Sequence, residues 1–114
     1  MGELSLFEKI ISREISAEIV YEDDRVIAFK DINPQAPMHI LMCPKKPISM
    51  ISHAGEVDVD LLGYLLLKCG QIAAEQGYAD AFRLVVNNGA AAGQSVFHLH
   101  VHILGGRDLS WPPG

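Results

Sequence analysis

The sequence predicts an α+β fold, a five-stranded antiparallel sheet with one short N-terminal helix and one long helix packed on it. Three observations carry that expectation. Short β-rich runs are joined by tight turns, one long segment repeats apolar residues at helical spacing, and a short capped helix precedes both. The chain has 114 residues, 49% hydrophobic and 20% charged, which suits one domain over residues 1–114 with a core of its own.

Ser5-Leu6-Phe7-Glu8 has the S-x-x-E form of a capping box, in which hydroxyl and carboxylate satisfy each other's backbone N–H groups. Leu6, Phe7, Ile10 and Ile11 then set apolar groups on one side of a helix expected to end near Arg13. Ile19 to Tyr21 and Arg25 to Phe29, joined by Glu22-Asp23-Asp24, read as a hairpin. Asn33-Pro34-Gln35-Ala36-Pro37 is a turn, followed by a strand from Met38 to Cys43 that Pro44 to Pro47 breaks. Asp58 is the expected N-cap of the long helix, in which Leu62, Leu65, Leu66, Cys69, Ile72 and Ala73 recur at helical spacing up to Gly77. Phe82 to Val86 and Phe97 to Leu104 read as the last two strands, linked by the small-residue loop Asn87 to Ser95.

The net charge of -5 and a single adjacent basic pair, Lys45-Lys46, argue against nucleic acid as a partner. The most apolar stretch, Leu61 to Leu67, is far too short to span a bilayer, so no membrane association is expected. Met1 to Leu6 lacks the basic and apolar regions of a secretory leader, and Cys43 and Cys69 lack CxxC spacing and sit in apolar surroundings. Those features predict buried free thiols and a cytoplasmic location.

His98-Leu99-His100-Val101-His102-Ile103 is the most informative stretch, since a strand alternates faces and sends three imidazoles to one side and three apolar groups to the other. Packing alone accounts poorly for this, because each buried imidazole needs a hydrogen-bond partner that valine does not. A zinc site is one alternative. Cβ atoms of His98 and His102 would lie about 13 Å apart on a regular strand, so the three histidines cannot share one ion. Two could, completed by His39 or His53, although no carboxylate or cysteine stands at familiar ligand spacing nearer than Asp108.

The other alternative uses a neutral imidazole as a nucleophile on phosphorus. The Gly89 to Ser95 loop enters the histidine stretch directly, so backbone N–H groups around Gly93, Gln94 and Ser95, with the Ser95 hydroxyl, could hold phosphate oxygens beside His100. No Gly-Lys-Ser/Thr sequence follows the loop, which disfavours NTPase chemistry.

These residues resemble the histidine-triad (HIT) family, whose pattern of His, apolar, His, apolar, His and two further apolar positions is met by His98 to Leu104. The resemblance is closest to the Hint branch, the purine nucleoside phosphoramidases, through Asp31 to Pro37, Pro44-Lys45-Lys46, Gly93-Gln94-Ser95-Val96 and Trp111-Pro112-Pro113-Gly114. It implies a HIT-like fold and hydrolysis of AMP–amine conjugates through a nucleotidyl-histidine. His100 would be the nucleophile, and His98, His102 and His39 would line the phosphate site with Ser95. Asn87 and Gly93 match the family's phosphate contacts, Asp31 its ribose-binding acid, and Leu6, Phe7, Ile10, Phe29 and Ile32 the walls around the purine.

The resemblance further implies a homodimer in which the Trp111 tail approaches the partner's site, purine nucleoside monophosphates and their conjugates as ligands, and no required cofactor. A dinucleoside polyphosphate hydrolase, or a nucleotide-binding regulator that also takes zinc, are the alternatives. Lys30, Pro47 and Asn88 depart from what is frequent among relatives, which leaves base preference and the leaving-group side open.

Overall fold

The computed structural model describes residues 5–114. Met1 to Leu4, which enter the reading of the leader, lie outside the described residues. Helix α1 (Leu6–Ile11) opens on the expected capping box, with Ser5 Oγ accepting from the Glu8 N–H at 3.1 Å and Glu8 Oε1 accepting from the Ser5 N–H at 3.0 Å. It stops two residues earlier than expected, and Arg13 turns to φ 70°. Strands β1 (Ile19–Glu22) and β2 (Val26–Lys30) form the predicted hairpin. Its turn is held by Asp23, whose carboxylate accepts from the N–H groups of Arg25 and Val26 and from the hydroxyls of Tyr21 and Tyr64.

Strand β3 (Met38–Pro44) follows the proline-rich turn, and helix α2 (Val59–Glu75) is the long helix. Asp58 stands at the N-cap of α2 but makes no side-chain bond to it. Its carboxylate accepts from the Gly55 N–H at 2.9 Å and from Lys46 Nζ at 2.5 Å, because a 3₁₀ turn over Glu56–Asp58 runs straight into the helix and claims the cap. At the other end, Gly77 takes φ +93°, the Gly77 N–H donates to the Ala74 carbonyl and the Tyr78 N–H to the Ala73 carbonyl, a Schellman ending. Leu65, Cys69, Ile72 and Ala73 face the sheet, whereas Leu66, expected among them, is 51% exposed.

Strands β4 (Phe82–Val85) and β5 (Val101–Gly105) complete an antiparallel sheet in the order β1-β2-β3-β5-β4. The last strand is shorter than the expected Phe97 to Leu104. Pairing with β3 begins at Met42↔Val101, and the segment before it bonds elsewhere, the Leu99 N–H donating to the Ile48 carbonyl. Strand β3 ends at Pro44, which has no N–H to give to a continued ladder.

Each face of the sheet has its own cluster. Val26, Ala28, Met38, Ile40, Met42, Val101 and Ile103 pack with the buried side of α2. On the reverse, Ile27, Phe29, Leu41 and Cys43 pack under Phe7 and Ile10 of α1. Cys43 and Cys69 are free and buried on opposite faces, and burial pushes each thiol up to about 12. Among the described residues, no helix is long and apolar enough to cross a membrane.

Candidate active site

Helix α1 has six residues and α2 seventeen, so the α1 face of the sheet is only partly roofed. The unroofed part lies over β3 and β5. Register places Leu41 opposite His102 and His39 opposite Leu104, which puts His39 and His102 on the same face as diagonal neighbours. His98 and His100 precede the ladder yet keep the alternation, since the Phe7 ring lies 6.4 Å from the His98 ring and 4.8 Å from that of His100. Leu99, Val101 and Ile103 are buried toward the other side.

Hydrogen bonds settle which nitrogen of each ring carries the proton. A carbonyl can only accept, so His98 donates from Nε2 to the Pro44 carbonyl at 2.6 Å, and His100 donates from Nδ1 to the His98 carbonyl at 2.8 Å. His100 is therefore left with an unprotonated Nε2. Burial is the largest influence on its pKa and lowers it from the ordinary histidine value, with the nearby His98 adding to that and the bond to the His98 carbonyl opposing it. His102 is lowered to about 4 by burial and then by its His100 and His39 neighbours. His39 is lowered by burial, against the pull of Asp31. At neutral pH these three imidazoles are neutral, the state in which a ring nitrogen is nucleophilic.

A cavity of about 240 Å³ opens in front of His100 and His102, lined by nine of the residues expected from the sequence: Leu6, Phe7, Ile10, Phe29, Asp31, Ile32, Ser95, His100 and His102, whereas His39 lies outside its lining. Phe7 and Phe29 are buried and meet edge to face at 5.3 Å, while Ile32 is 97% exposed and sits at the rim. Asp31 directly follows β2 and lines the cavity. Its Oδ1 accepts from the Asn33 N–H at 2.8 Å, and its Oδ2 stands 3.5 Å from His39 Nε2.

Other expected residues stand elsewhere. His98 is 1% exposed and lies behind His100, where its carbonyl orients that ring. Gln94 is buried and fully engaged: its N–H goes to the Gly89 carbonyl, its Oε1 accepts from the Gly89 N–H, and its Nε2 donates to the Ser49 and Val96 carbonyls. The Gly93 N–H is likewise spent on the Ala90 carbonyl. The backbone N–H groups of Gly93 and Gln94, expected as phosphate donors, are thus engaged within the loop around the 3₁₀ turn over Ala90–Ala92. Gly93 still has a geometric role, since its φ of +100° suits glycine and brings its Cα side within van der Waals reach of the Asn87 amide. Ser95 is exposed and borders the cavity.

Sequence reasoning missed Ile15, Ser16, Ala17 and Leu41 of the lining, and named Lys30 and Val96 without assigning them to the site. Leu41 alone had a signal, being two places from His39 on a strand. The search for a carboxylate near the histidines also passed over Asp31. One ligand atom from each of Asp31, His39 and His102 falls within 4.8 Å of the others, a donor set that could hold a zinc-type ion.

The pattern of three imidazoles on one sheet face, with the middle one freed at Nε2, meets its match in a known domain. A family model of the HIT domain matches residues 12–109. The chain belongs to the HIT family. A HIT-like protein of Synechocystis is 62% identical over 114 residues and is covered end to end, as is this chain. A maize protein named 14 kDa zinc-binding protein is 48% identical, over 96% of this chain and 88% of its own. Among solved structures, a HIT family hydrolase from Legionella pneumophila superposes with a TM-score of 0.94 at 44% identity, over 96% of this chain and 98% of that one. A histidine triad nucleotide-binding protein from Candida albicans does so with a TM-score of 0.84 at 25% identity, over 96% and 83%.

Proposed function

We propose that this HIT protein hydrolyses purine nucleoside 5'-phosphoramidates to nucleoside monophosphate and amine. The observation that carries the reading is the bond from His100 Nδ1 to the His98 carbonyl, which leaves Nε2 as a fixed lone pair beside the cavity. In the first step Nε2 attacks the α-phosphorus, the P–N bond breaks, and the departing nitrogen takes a proton from His102. Water then attacks the nucleotidyl-imidazole and gives one proton back to His102 Nε2, the P–N bond to His100 breaks, and the monophosphate leaves with both imidazoles restored. Ser95 borders the cavity, and in this reading its hydroxyl donates to a phosphate oxygen. Phe7, Ile10, Phe29 and Leu41 supply an apolar slot for the base, and Asp31 in the lining is an acceptor for ribose hydroxyls. The names of the Legionella and Candida proteins, a hydrolase and a nucleotide-binding protein, agree with a hydrolytic site that takes a nucleotide.

Mass spectrometry of protein quenched during turnover of an adenosine 5'-phosphoramidate tests the reading. It should find an AMP adduct on His100 that is absent from His100→Ala. Product without adduct, and an active variant, would count against covalent catalysis.

The donor set of Asp31, His39 and His102 favours a second reading, in which a zinc ion occupies the site. The hydrolytic scheme asks for no cofactor, so EDTA should leave the rate unchanged. Metal-dependent turnover would transfer the case to the second reading. We also infer a homodimer, for which α2 offers the exposed apolar residues Val59 and Leu66, flanked by Ile51 and Val86. Light scattering should give twice the chain mass, and an active monomer would exclude it.

A further inference from the structure

His39 is buried, on the central strand β3, and both of its ring nitrogens are occupied within the protein. The Gln35 N–H donates to Nδ1 at 3.0 Å, and Nε2 lies 2.9 Å from His102 Nδ1. A peptide N–H can only donate, so Nδ1 of His39 carries the lone pair. The neutral ring then has its proton on Nε2. That proton has two possible acceptors, His102 Nδ1 at 2.9 Å and Asp31 Oδ2 at 3.5 Å. Only the first lies within ordinary N–H···N or N–H···O distance. His102 Nδ1 therefore accepts, which places the His102 proton on Nε2.

We propose that His39 is a positioning residue that holds His102 in the Nε2–H form and so aims its proton at the leaving group. The control originates in the β2–β3 turn, residues 31–37. The Gln35 peptide is gripped from both sides, its N–H by His39 and its carbonyl by Arg107 Nε at 2.8 Å. Gly106 closes the same turn from below, since a Cβ there would come within 2.8 Å of Pro37 Cβ. Asp31, the proposed ribose acceptor, opens that turn, with its own N–H on the His39 carbonyl at 3.0 Å. Ribose recognition and proton delivery thus share one rigid turn. His39 does not reach the phosphate in this arrangement but acts through His102. His100 is held the opposite way, so that two neighbouring positions of one extended stretch carry one ring as Nδ1–H for attack and the next as Nε2–H for donation. A lone tautomer fits each task.

The inference rests on the phosphoramidase reading only for what His102 protonates. Nitrogen-15 NMR of metal-free, ligand-free protein should show Nε2–H rings for His39 and His102 and an Nδ1–H ring for His100. A His102 ring protonated at Nδ1 would overturn the relay. Kinetics supply the second arm. His39→Leu should lose about 100-fold in kcat on an alkylamine phosphoramidate, within the usual worth of a general acid, and less than about tenfold on the p-nitrophenyl ester of AMP, whose leaving group needs no proton. His39→Gln, which keeps an N–H donor near the Nε2 position, should recover at least about tenfold of the first loss. Equal losses on both substrates, or no recovery with glutamine, would sink the proposal. A wild-type protein inactive on both substrates would instead reject the phosphoramidase reading, and NMR would still judge the relay.

Discussion

The two faces of one sheet have been put to opposite uses. On the α2 face, strands and helix meet through Val26, Ala28, Ile40, Met42, Val101, Ile103, Leu65, Cys69 and Ile72, an apolar layer under a helix of seventeen residues. On the α1 face, a helix of six residues covers only part of the surface and leaves histidines buried along the edge of a cavity. The first arrangement contributes stability by removing apolar area from water. The second places polar rings in a low-dielectric setting, which costs stability unless each ring is hydrogen-bonded. Here the rings are bonded to Pro44, His98, Gln35 and one another, and among the described residues no buried side-chain nitrogen or oxygen lacks a partner. A sealed face thus supports an open one.

Substitutions should separate the two faces. The largest effect is expected from His100→Ala, which should cut kcat/KM by about 10⁴-fold or more, as loss of a nucleophile does in other covalent enzymes. Its melting temperature should stay close to wild type. Parallel loss of activity and fold would show that His100 serves the core. Leu65→Ala on the α2 face should do the reverse, destabilising by about 3 kcal/mol for a buried leucine truncated to alanine. Urea titration would measure it, while kcat per folded molecule remains unchanged.

Asp31→Asn should raise KM for ribonucleotide substrates by roughly 10-fold to 30-fold, the worth of a hydrogen bond to a charged acceptor. A substrate lacking the ribose hydroxyls should be insensitive to the change, and equal KM increases for both substrates would remove Asp31 from ribose recognition. The smallest effect is on acid stability. His102 titrates at about 4 in the folded chain, below the ordinary 6.5. The unfolded chain therefore binds its proton first as pH falls, so this contribution is present above about 6.5 and is lost on the way down to about 4. Unfolding titrations across that window should show stability declining, and His102→Gln should flatten the slope. His100, also shifted downward, places the acid limb of the kcat/KM profile below the ordinary histidine value.

Much of the architecture was legible because its signals are local. The Ser5 and Glu8 capping box, the hairpin turn at Asp23 and the Gly77 helix ending each depend on residues within a few positions of one another. Less legible were features that depend on a distant partner. Leu66 has the helical spacing of a core residue but emerges 51% exposed, since periodicity describes a stripe and not its width. Gln94 was read as a nucleotide contact, yet its amide joins Ser49, Gly89 and Val96, and Ser49 lies 45 positions away. Asp31 and His102 were each named without any sign that His39 would stand between them.

Alternation along His98 to Ile103 determined, by itself, that three imidazoles share a side and three apolar residues the other, because successive side chains of an extended chain point to opposite faces. It determined the family as well, since the HIT pattern is written in that stretch. What only the tertiary structure decided is the state of each ring. His98 and His100 are fixed by carbonyl acceptors, His39 by the Gln35 peptide and His102 by His39. The location of a proton on an imidazole is set by the partner across the hydrogen bond, and the His39–His102 bond joins residues 63 positions apart in the chain.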